Sequence, residues 1–201
     1  LTTIASIVKG QGDEQALPIL LRRIAAQEMI GELRALRPIR VPRTRLLKNG
    51  ELERYVELAA RRVTDPGGVL VLLDSDGDCS IRPQLSRRAA EARSDMVTTV
   101  VLAHHEFEAW FLAAGRSLAG HHGLSPDLED HPDPESVPSP KRRIMASKAD
   151  KYRETFDQPK LAAIMNLASA RCANSFDKFY REVCRFLGQA VTKTSRRALG
   201  S

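Results

Sequence analysis

Gly67-Gly68-Val69-Leu70-Val71-Leu72-Leu73-Asp74-Ser75-Asp76-Gly77-Asp78 is the stretch that decides the fold. Five consecutive apolar residues, Val69 to Leu73, follow a Gly-Gly turn and predict a strand buried on both faces, the pattern of a parallel sheet. Asp74, Asp76 and Asp78 follow directly where that strand ends. In open α/β sheets, ligands bind at the carboxyl ends of strands. Carboxylates so close together repel one another and require a cation, and hard oxygen donors of this kind suit Mg²⁺ or Mn²⁺. The competing reading is a solvated Asp-rich turn that caps the next helix.

Two better-known motifs compete for these residues. A calcium-binding EF-hand loop needs Gly at its sixth position and Glu at its twelfth, where this chain has Cys79 and Leu85, and it follows a helix rather than a strand. Asp74, Asp76 and Gly77 also satisfy the Asp-x-Asp-Gly opening of haloacid dehalogenase-type phosphatases. Asp78 then stands where those enzymes have Thr or Val, and no matching acidic pair follows a later strand.

Outward from this strand, apolar β-branched runs and helical periodicities alternate. Thr3 to Val8 predicts a first strand, Asp13 to Ile30 a helix with Pro18 in its first turns, and Leu36 to Val41 a short strand bounded by prolines. Glu51 to Val63 predicts an amphipathic helix, Pro83 to Arg93 another, Val97 to Ala103 a fourth strand, and His105 to Ala114 a return to helix. Such alternation implies βαβ crossovers and a mainly parallel four-stranded sheet flanked by helices, a Rossmann-like α/β fold. Residues 121–140 hold five prolines among five acidic residues and predict a long loop or mobile insertion. Lys141 to Arg153, Pro159 to Arg171 and Asn174 to Leu187 predict a helical C-terminal part. The expected organisation is therefore an α/β domain over 1–120, the loop at 121–140, a helical extension packed on the same domain over 141–191, and a disordered tail at 192–201.

The chain has 201 residues, enough for one sizeable core, and no apolar run approaches the roughly 20 residues of a membrane span. Lys9 and Asp13 interrupt the only early apolar stretch, which argues against a signal peptide, and the opening Leu1 suggests a trimmed product. The three cysteines, Cys79, Cys172 and Cys184, are odd in number and far apart, which fits neither a disulfide framework nor a zinc knuckle. A cytoplasmic protein is expected. Net charge is +6, and Arg34, Arg37, Arg40, Arg43, Arg45 and Lys48 lie together without an acidic residue among them. Lys193, Arg196 and Arg197 form a second basic cluster. Basic stripes of this kind are the usual footprint of a nucleic-acid partner, although pairing with acidic helices or with a protein partner explains them equally well.

In a parallel sheet the ends of the first, third and fourth strands open on one edge. This brings together Lys9-Gly10-Gln11-Gly12-Asp13-Glu14, the Asp74–Asp78 cluster, and His104-His105-Glu106-Phe107-Glu108-Ala109-Trp110-Phe111. Glu106, the nearer acid to the strand end, is expected beside a metal. His104 and His105 are expected to be structural, and Phe107, Trp110 and Phe111 to be core. Cys79 is expected to pack at a helix start.

This pattern resembles the TOPRIM domain of topoisomerases, primases and overcoming-lysogenization-defect nucleases, whose hallmark is a Glu-Gly pair after the first strand and an Asp-x-Asp after a later one. More closely, the chain resembles the bacterial family DUF4276, a domain of unknown function. The resemblance rests on Val8 to Pro18, Leu72 to Cys79, Glu106 to Leu112, Asp157 to Lys160 and Ser175 to Lys178, in that order. It implies a Mg²⁺- or Mn²⁺-dependent nuclease acting on DNA or RNA. Asp74, Asp76, Asp78 and Glu106 would be metal ligands, with Asp13 assisting catalysis; Lys160 and Lys178 read either as stabilisers of a phosphate leaving oxygen or as plain surface lysines. It also implies an ATPase partner and a context of phage defence. The metals would activate water and stabilise the leaving oxygen of an in-line displacement. Arg34, Arg37, Arg40, Arg43, Arg45 and Lys48 would bind backbone phosphates. The exposed faces of such a fold are compatible with a homodimer.

One departure stands at the centre of the motif. Lys9 occupies the position of the usual glutamate. A protonated lysine cannot ligate Mg²⁺, and its ammonium is expected to replace the metal electrostatically by pairing with Asp74 or Asp76. Asp13 or Glu14 is then the nearest substitute carboxylate. A non-catalytic subunit that binds nucleic acid or regulates an ATPase is the alternative to an enzyme.

Overall fold

The structure is a computed structural model that describes residues 1–29, 31–64 and 66–198, with side-chain surroundings through 188. Its elements in chain order are β1 (Thr2–Val8), α1 (Gln11–Glu28), β2 (Leu33–Ala35), β3 (Ile39–Arg40), α2 (Arg43–Leu46), α3 (Glu51–Ala60), β4 (Gly67–Asp74), α4 (Arg82–Ala92) and β5 (Val97–Ala103). The C-terminal part holds α5 (Ala109–Ala113), α6 (Gly115–Leu118), a 3-10 turn at Pro134–Ser136, α7 (Pro140–Ala146), α8 (Glu154–Ile164), α9 (Leu167–Ala170) and α10 (Asn174–Ala198).

All five strands are parallel. Their order is β2-β1-β4-β5, and β3 pairs with the far end of β1, on from β2. The second strand expected at 36–41 is present only as β3, and β2 lies ahead of it. Pro38, which has no N–H to give to the ladder, sits in the gap between them.

Alternation along the strands divides the core in two. Ile4, Val8, Leu70, Leu72, Val101 and Ala103 face α1, α8 and α10. Ala5, Ile7, Val69, Val71, Leu73, Val100 and Leu102 face α3 and α4. This is the period-two reversal of a sheet covered by helices on both faces. From β1 the chain crosses to β2 and β3 on one side, while β4 and β5 lie on the other. The carboxyl ends of β1 and β4 therefore form the topological switch point where such sheets bind ligands.

The first face is aromatic. Trp110 lies 5.3 Å from Phe179 in a stacked pair, 5.1 Å from Phe176 and 4.7 Å from Phe107, and all four are fully buried. Ser175 Oγ accepts the indole N–H at 2.8 Å, which ties α5 to the start of α10. Gly12 lets α8 lie directly on α1, since a Cβ there would stand 1.9 Å from Gln158 Oε1.

Several C-terminal boundaries differ from the periodicity reading. The helix expected from His105 starts at Ala109, because His105 takes a left-handed conformation with φ 56° and the chain turns before it coils. The helix expected over 159–171 is two, α8 and α9, with α8 beginning before Pro159. Helix α10 continues to Ala198, through residues where a tail was expected from 192. The side chains of Lys193, Arg196 and Arg197 lie outside the described residues.

The segment 121–140 is fastened rather than loose. Leu124 is buried, and the backbone N–H of His131 donates to Leu112 O at 2.9 Å. Its acids serve helix starts: Glu135 accepts from the Ser175 N–H of α10 at 2.8 Å, and Asp130 from the Arg116 N–H of α6 at 2.8 Å. Among the described residues no helix is long and apolar enough to cross a membrane.

Candidate functional site

The site grows from three strand ends. At the end of β1, Gly10 precedes α1, and Asp13 in the first turn of that helix accepts the Gly10 N–H at 3.0 Å. Its carboxylate thereby satisfies one of the free donors of the helix start. At the end of β4, the Ser75 N–H donates to Ala103 O at 2.8 Å. Ser75 Oγ accepts the His105 N–H at 2.9 Å, and the Asp76 N–H donates to His105 O at 3.2 Å. The loops after β4 and β5 are thus fastened to each other. Asp76 takes a left-handed conformation with φ 49°, a turn that Asp tolerates better than most residues.

That arrangement delivers two carboxylates to one cation. Lys9 Nζ lies 2.7 Å from Asp74 Oδ2 and 3.4 Å from Asp76 Oδ1. Arg43 adds a second cation, its Nε 3.5 Å from Asp76 Oδ2 and its Nη2 donating to Ser75 O at 3.2 Å. Asp74 and Asp13 are only 8% and 6% exposed. Burial pushes the Asp74 carboxyl up to about 8, and neighbouring Asp13 pushes the same way against the pull of Lys9. Burial likewise raises Asp13, against its bond to Gly10 and the charges of Lys9 and Lys141. Burial opposes the charge on Lys9, but Asp74 and Asp76 more than offset it and raise its pKa.

Next to this edge lies a further buried acid. Glu108 is 2% exposed and accepts at Oε1 from Tyr152 Oη and from Gln158 Nε2, each at 2.9 Å. Burial raises its pKa, against those two bonds and the charge of Lys141. The sequence singles out Glu106, the acid nearer the strand end, rather than Glu108. The signal for its real place is its apolar neighbourhood, Phe107 and Ala109-Trp110-Phe111, which buries it too deeply for a surface ion pair.

Not all expected site residues meet. Asp78 is exposed and turns to Ser80, accepting its N–H at 2.9 Å and its hydroxyl at 2.6 Å. Glu106 accepts the Lys141 N–H at 2.9 Å and so caps the start of α7. Lys160 covers the Phe156 ring at 3.5 Å, and Lys178 pairs with Glu182 at 3.0 Å one helical turn on. The Asp157–Lys160 and Ser175–Lys178 motifs serve the fold instead. Asp157 accepts the Arg153 N–H, Gln158 binds Glu108, and Ser175 holds Trp110. Glu14 pairs with Arg37 at 2.7 Å, so of the two acids at the start of α1 it is Asp13 whose charge acts on Lys9.

Among the described residues no three carboxylate, histidine or cysteine side chains stand together to hold a metal ion. As placed, the residues do not fit the Mg²⁺ that the motif implies. The Lys9 ammonium bridges two of the four expected donors, and the other two are turned elsewhere.

The basic run is divided as well. Arg34 is level with Thr3 and Arg40 with Val8 on β1, residues of opposite parity, so the two point to opposite faces of the sheet edge. Arg45 pairs with Glu51 at 2.5 Å and Arg37 with Glu14. Arg34, Arg40 and Lys48 are exposed and make no ion pair among the described residues.

Fold and site together define a Rossmann-like α/β protein with a cation-bridged carboxylate cluster at the switch point of a parallel sheet. A family model described as Domain of unknown function (DUF4276) matches residues 8–183, and the chain belongs to that family. No curated protein and no solved structure matches it.

Proposed function

We propose that this chain carries a TOPRIM-type nuclease site in which Lys9 takes the charge-balancing place of a divalent metal, so that as it stands it acts as a non-catalytic subunit binding nucleic acid. The observation that carries this reading is the bridge from Lys9 Nζ to Asp74 at 2.7 Å and Asp76 at 3.4 Å. A fixed ammonium satisfies the repulsion between carboxylates as a metal would, but it supplies neither open coordination positions nor an activated water. The position of Asp74 and Asp76 at a strand end supports a phosphodiester site, and Arg34, Arg40 and Lys48, without an ion pair among the described residues, support contact with a polyanion. An ATPase partner and a role in phage defence belong to the same reading through the family resemblance alone.

The test is cleavage of labelled DNA and RNA in Mg²⁺ or Mn²⁺ by three proteins: the natural chain, Lys9→Glu, and Lys9→Glu with Asp74→Asn. Thermal denaturation of each with and without the metal accompanies it. Cleavage and a metal-dependent rise in Tm that appear in Lys9→Glu and vanish in the double variant support the reading. Metal-dependent cleavage by the natural chain would overturn the role given to Lys9. Silence of Lys9→Glu in both assays would overturn the nuclease site itself.

A further inference from the structure

We propose that the groove between the first turns of α1 and α8 binds single-stranded nucleic acid, with a nucleobase stacked on Phe156. This rests on the nucleic-acid reading above and names the form of strand involved. An open groove of about 570 Å³ is lined by Gln11, Glu14 and Gln15 of α1, Arg37 after β2, and Thr155 of α8. It begins next to the strand-end site, since Gln11 follows Lys9 and Gly10 directly. Gly12 lets the first turn of α8 close on α1, because a Cβ there would stand 3.0 Å from Glu154 O. Thr155 and Phe156 are thereby held at the same end of the fold as the start of α1.

Phe156 stands apart from the other large aromatic side chains. It is 53% exposed, whereas the other five phenylalanines and Trp110 are buried. Lys160 Nζ lies over its ring at 3.5 Å, and the Arg153 guanidinium carbon lies 5.7 Å from the ring centre. Neither cation makes an ion pair among the described residues. Arg40 adds a third. It is in register with Val8, whose side chain packs on the α1 and α8 face, so exposed Arg40 points to that same face at the carboxyl end of β3. The acids nearby are already balanced, Glu14 by Arg37 and Glu154 by Lys141. The groove is thus flanked by free positive charge on the β3 side and on the α8 side.

Cations that track a backbone, with an aromatic ring beside them, are how proteins hold single strands. In a duplex each base is covered on both faces by its neighbours and offers the ring nothing to stack on, whereas an unpaired base does. A base that stacks on Phe156 displaces the Lys160 ammonium from the ring, and the freed ammonium then meets the adjoining phosphate. Gln11, Gln15 and Thr155 supply both donors and acceptors to a base edge, so they accept any base rather than one.

Fluorescence anisotropy at one fixed salt concentration follows labelled oligothymidylate, oligouridylate and a mixed-sequence DNA duplex of equal length binding to the natural chain, Phe156→Ala and Phe156→Trp. Phe156→Ala is expected to weaken single-strand binding by about 5- to 150-fold, the range for one lost base stack, and to leave duplex binding and Tm unchanged. Phe156→Trp restores the single-strand affinity, and the natural chain prefers single strand to duplex by a comparable factor. A preference for thymidylate or for uridylate supports the groove and names DNA or RNA as its strand. Single-strand binding that Phe156→Ala leaves unchanged, or equal affinity for the duplex, would overturn the groove while the nucleic-acid reading stands. No binding of any of the three would overturn that reading and the groove with it. If Phe156→Ala does not fold, the preference shown by the natural chain decides.

Discussion

Lys9, Asp74 and Asp76 at the sheet edge, and Glu108, Tyr152 and Gln158 buried next to them, are polar regions of one neighbourhood that balance charge by different means. At the edge, two carboxylates meet a lysine and an arginine within 2.7 to 3.5 Å. Inside, one carboxyl is met by a phenol and an amide, both neutral, at 2.9 Å. Ion pairs near solvent leave a site that a substitution can re-charge. A buried acid held by neutral donors is committed to one geometry and rigidifies the helices that bring those donors. The motif-like residues of the C-terminal half thus hold the fold, and the chemistry is left to the strand ends.

The contrast breaks first if the inner region is not structural. Trp110 is fully buried, stacked on Phe179 and bonded to Ser175. Trp110→Ala is expected to cost about 3–5 kcal/mol of unfolding free energy, the range for deleting a large buried aromatic side chain. Urea denaturation measures it. A loss below about 1 kcal/mol would mean that the aromatic cluster does not fasten α5 to α10, and the division of labour drawn here would collapse.

Burial raises the pKa of an acid in both regions, and the edge is told apart by the part Lys9 plays in the shift of Asp74. The shift of Asp74 from its ordinary 3.8 to about 8 on folding means that between those values the native state holds an extra proton on the neighbouring Asp74 and Asp13 carboxyls. Its contribution to stability is complete below the ordinary value and is lost as pH rises through about 8. Lys9→Met removes the charge that opposes this shift. The variant should match the natural chain near pH 5 and fall below it by about 1–3 kcal/mol near pH 9. Adding Asp74→Asn should abolish that slope. Urea titrations at the two pH values decide it, and a pH-independent loss in Lys9→Met would mean that the lysine acts through packing alone.

These regions were not equally legible in the sequence. Val69–Leu73, an all-apolar run of Val and Leu, and Val97–Ala103, rich in Val and Thr, read as strands because short runs of this composition have few other uses. The meeting of Lys9 with Asp74 and Asp76 followed from placing strand ends on one edge. Asp78 and Glu106 were misread for a shared reason. Each lies within a few residues of a strand end, but backbone donors, Ser80 N–H and Lys141 N–H, claim them. The donor for Glu106 comes from a helix 35 residues away in sequence, which no local pattern reveals. The acids of 121–140 were read as loop composition for the same cause, since Glu135 and Asp130 cap helices brought to them only by folding.

The smallest expected effect sharpens the contrast from outside. Arg34, Arg40 and Lys48 are exposed and have no ion pair among the described residues, whereas Arg45 and Arg37 are paired with Glu51 and Glu14. Arg34→Ala with Arg40→Ala and Lys48→Ala should change stability by no more than about 0.5 kcal/mol, as surface substitutions without partners do. Arg45→Ala should lower stability slightly through its lost pair with Glu51. If the free cations contact phosphates, the triple variant also lowers the salt dependence of DNA or RNA binding, by a slope of roughly 1 for each lost contact. Arg34 and Arg40 point to opposite faces of the sheet edge, so one straight duplex cannot engage both side chains on a single face. A slope change near that of one residue rather than three would therefore place the polyanion on one face, and comparison of the single variants would say which.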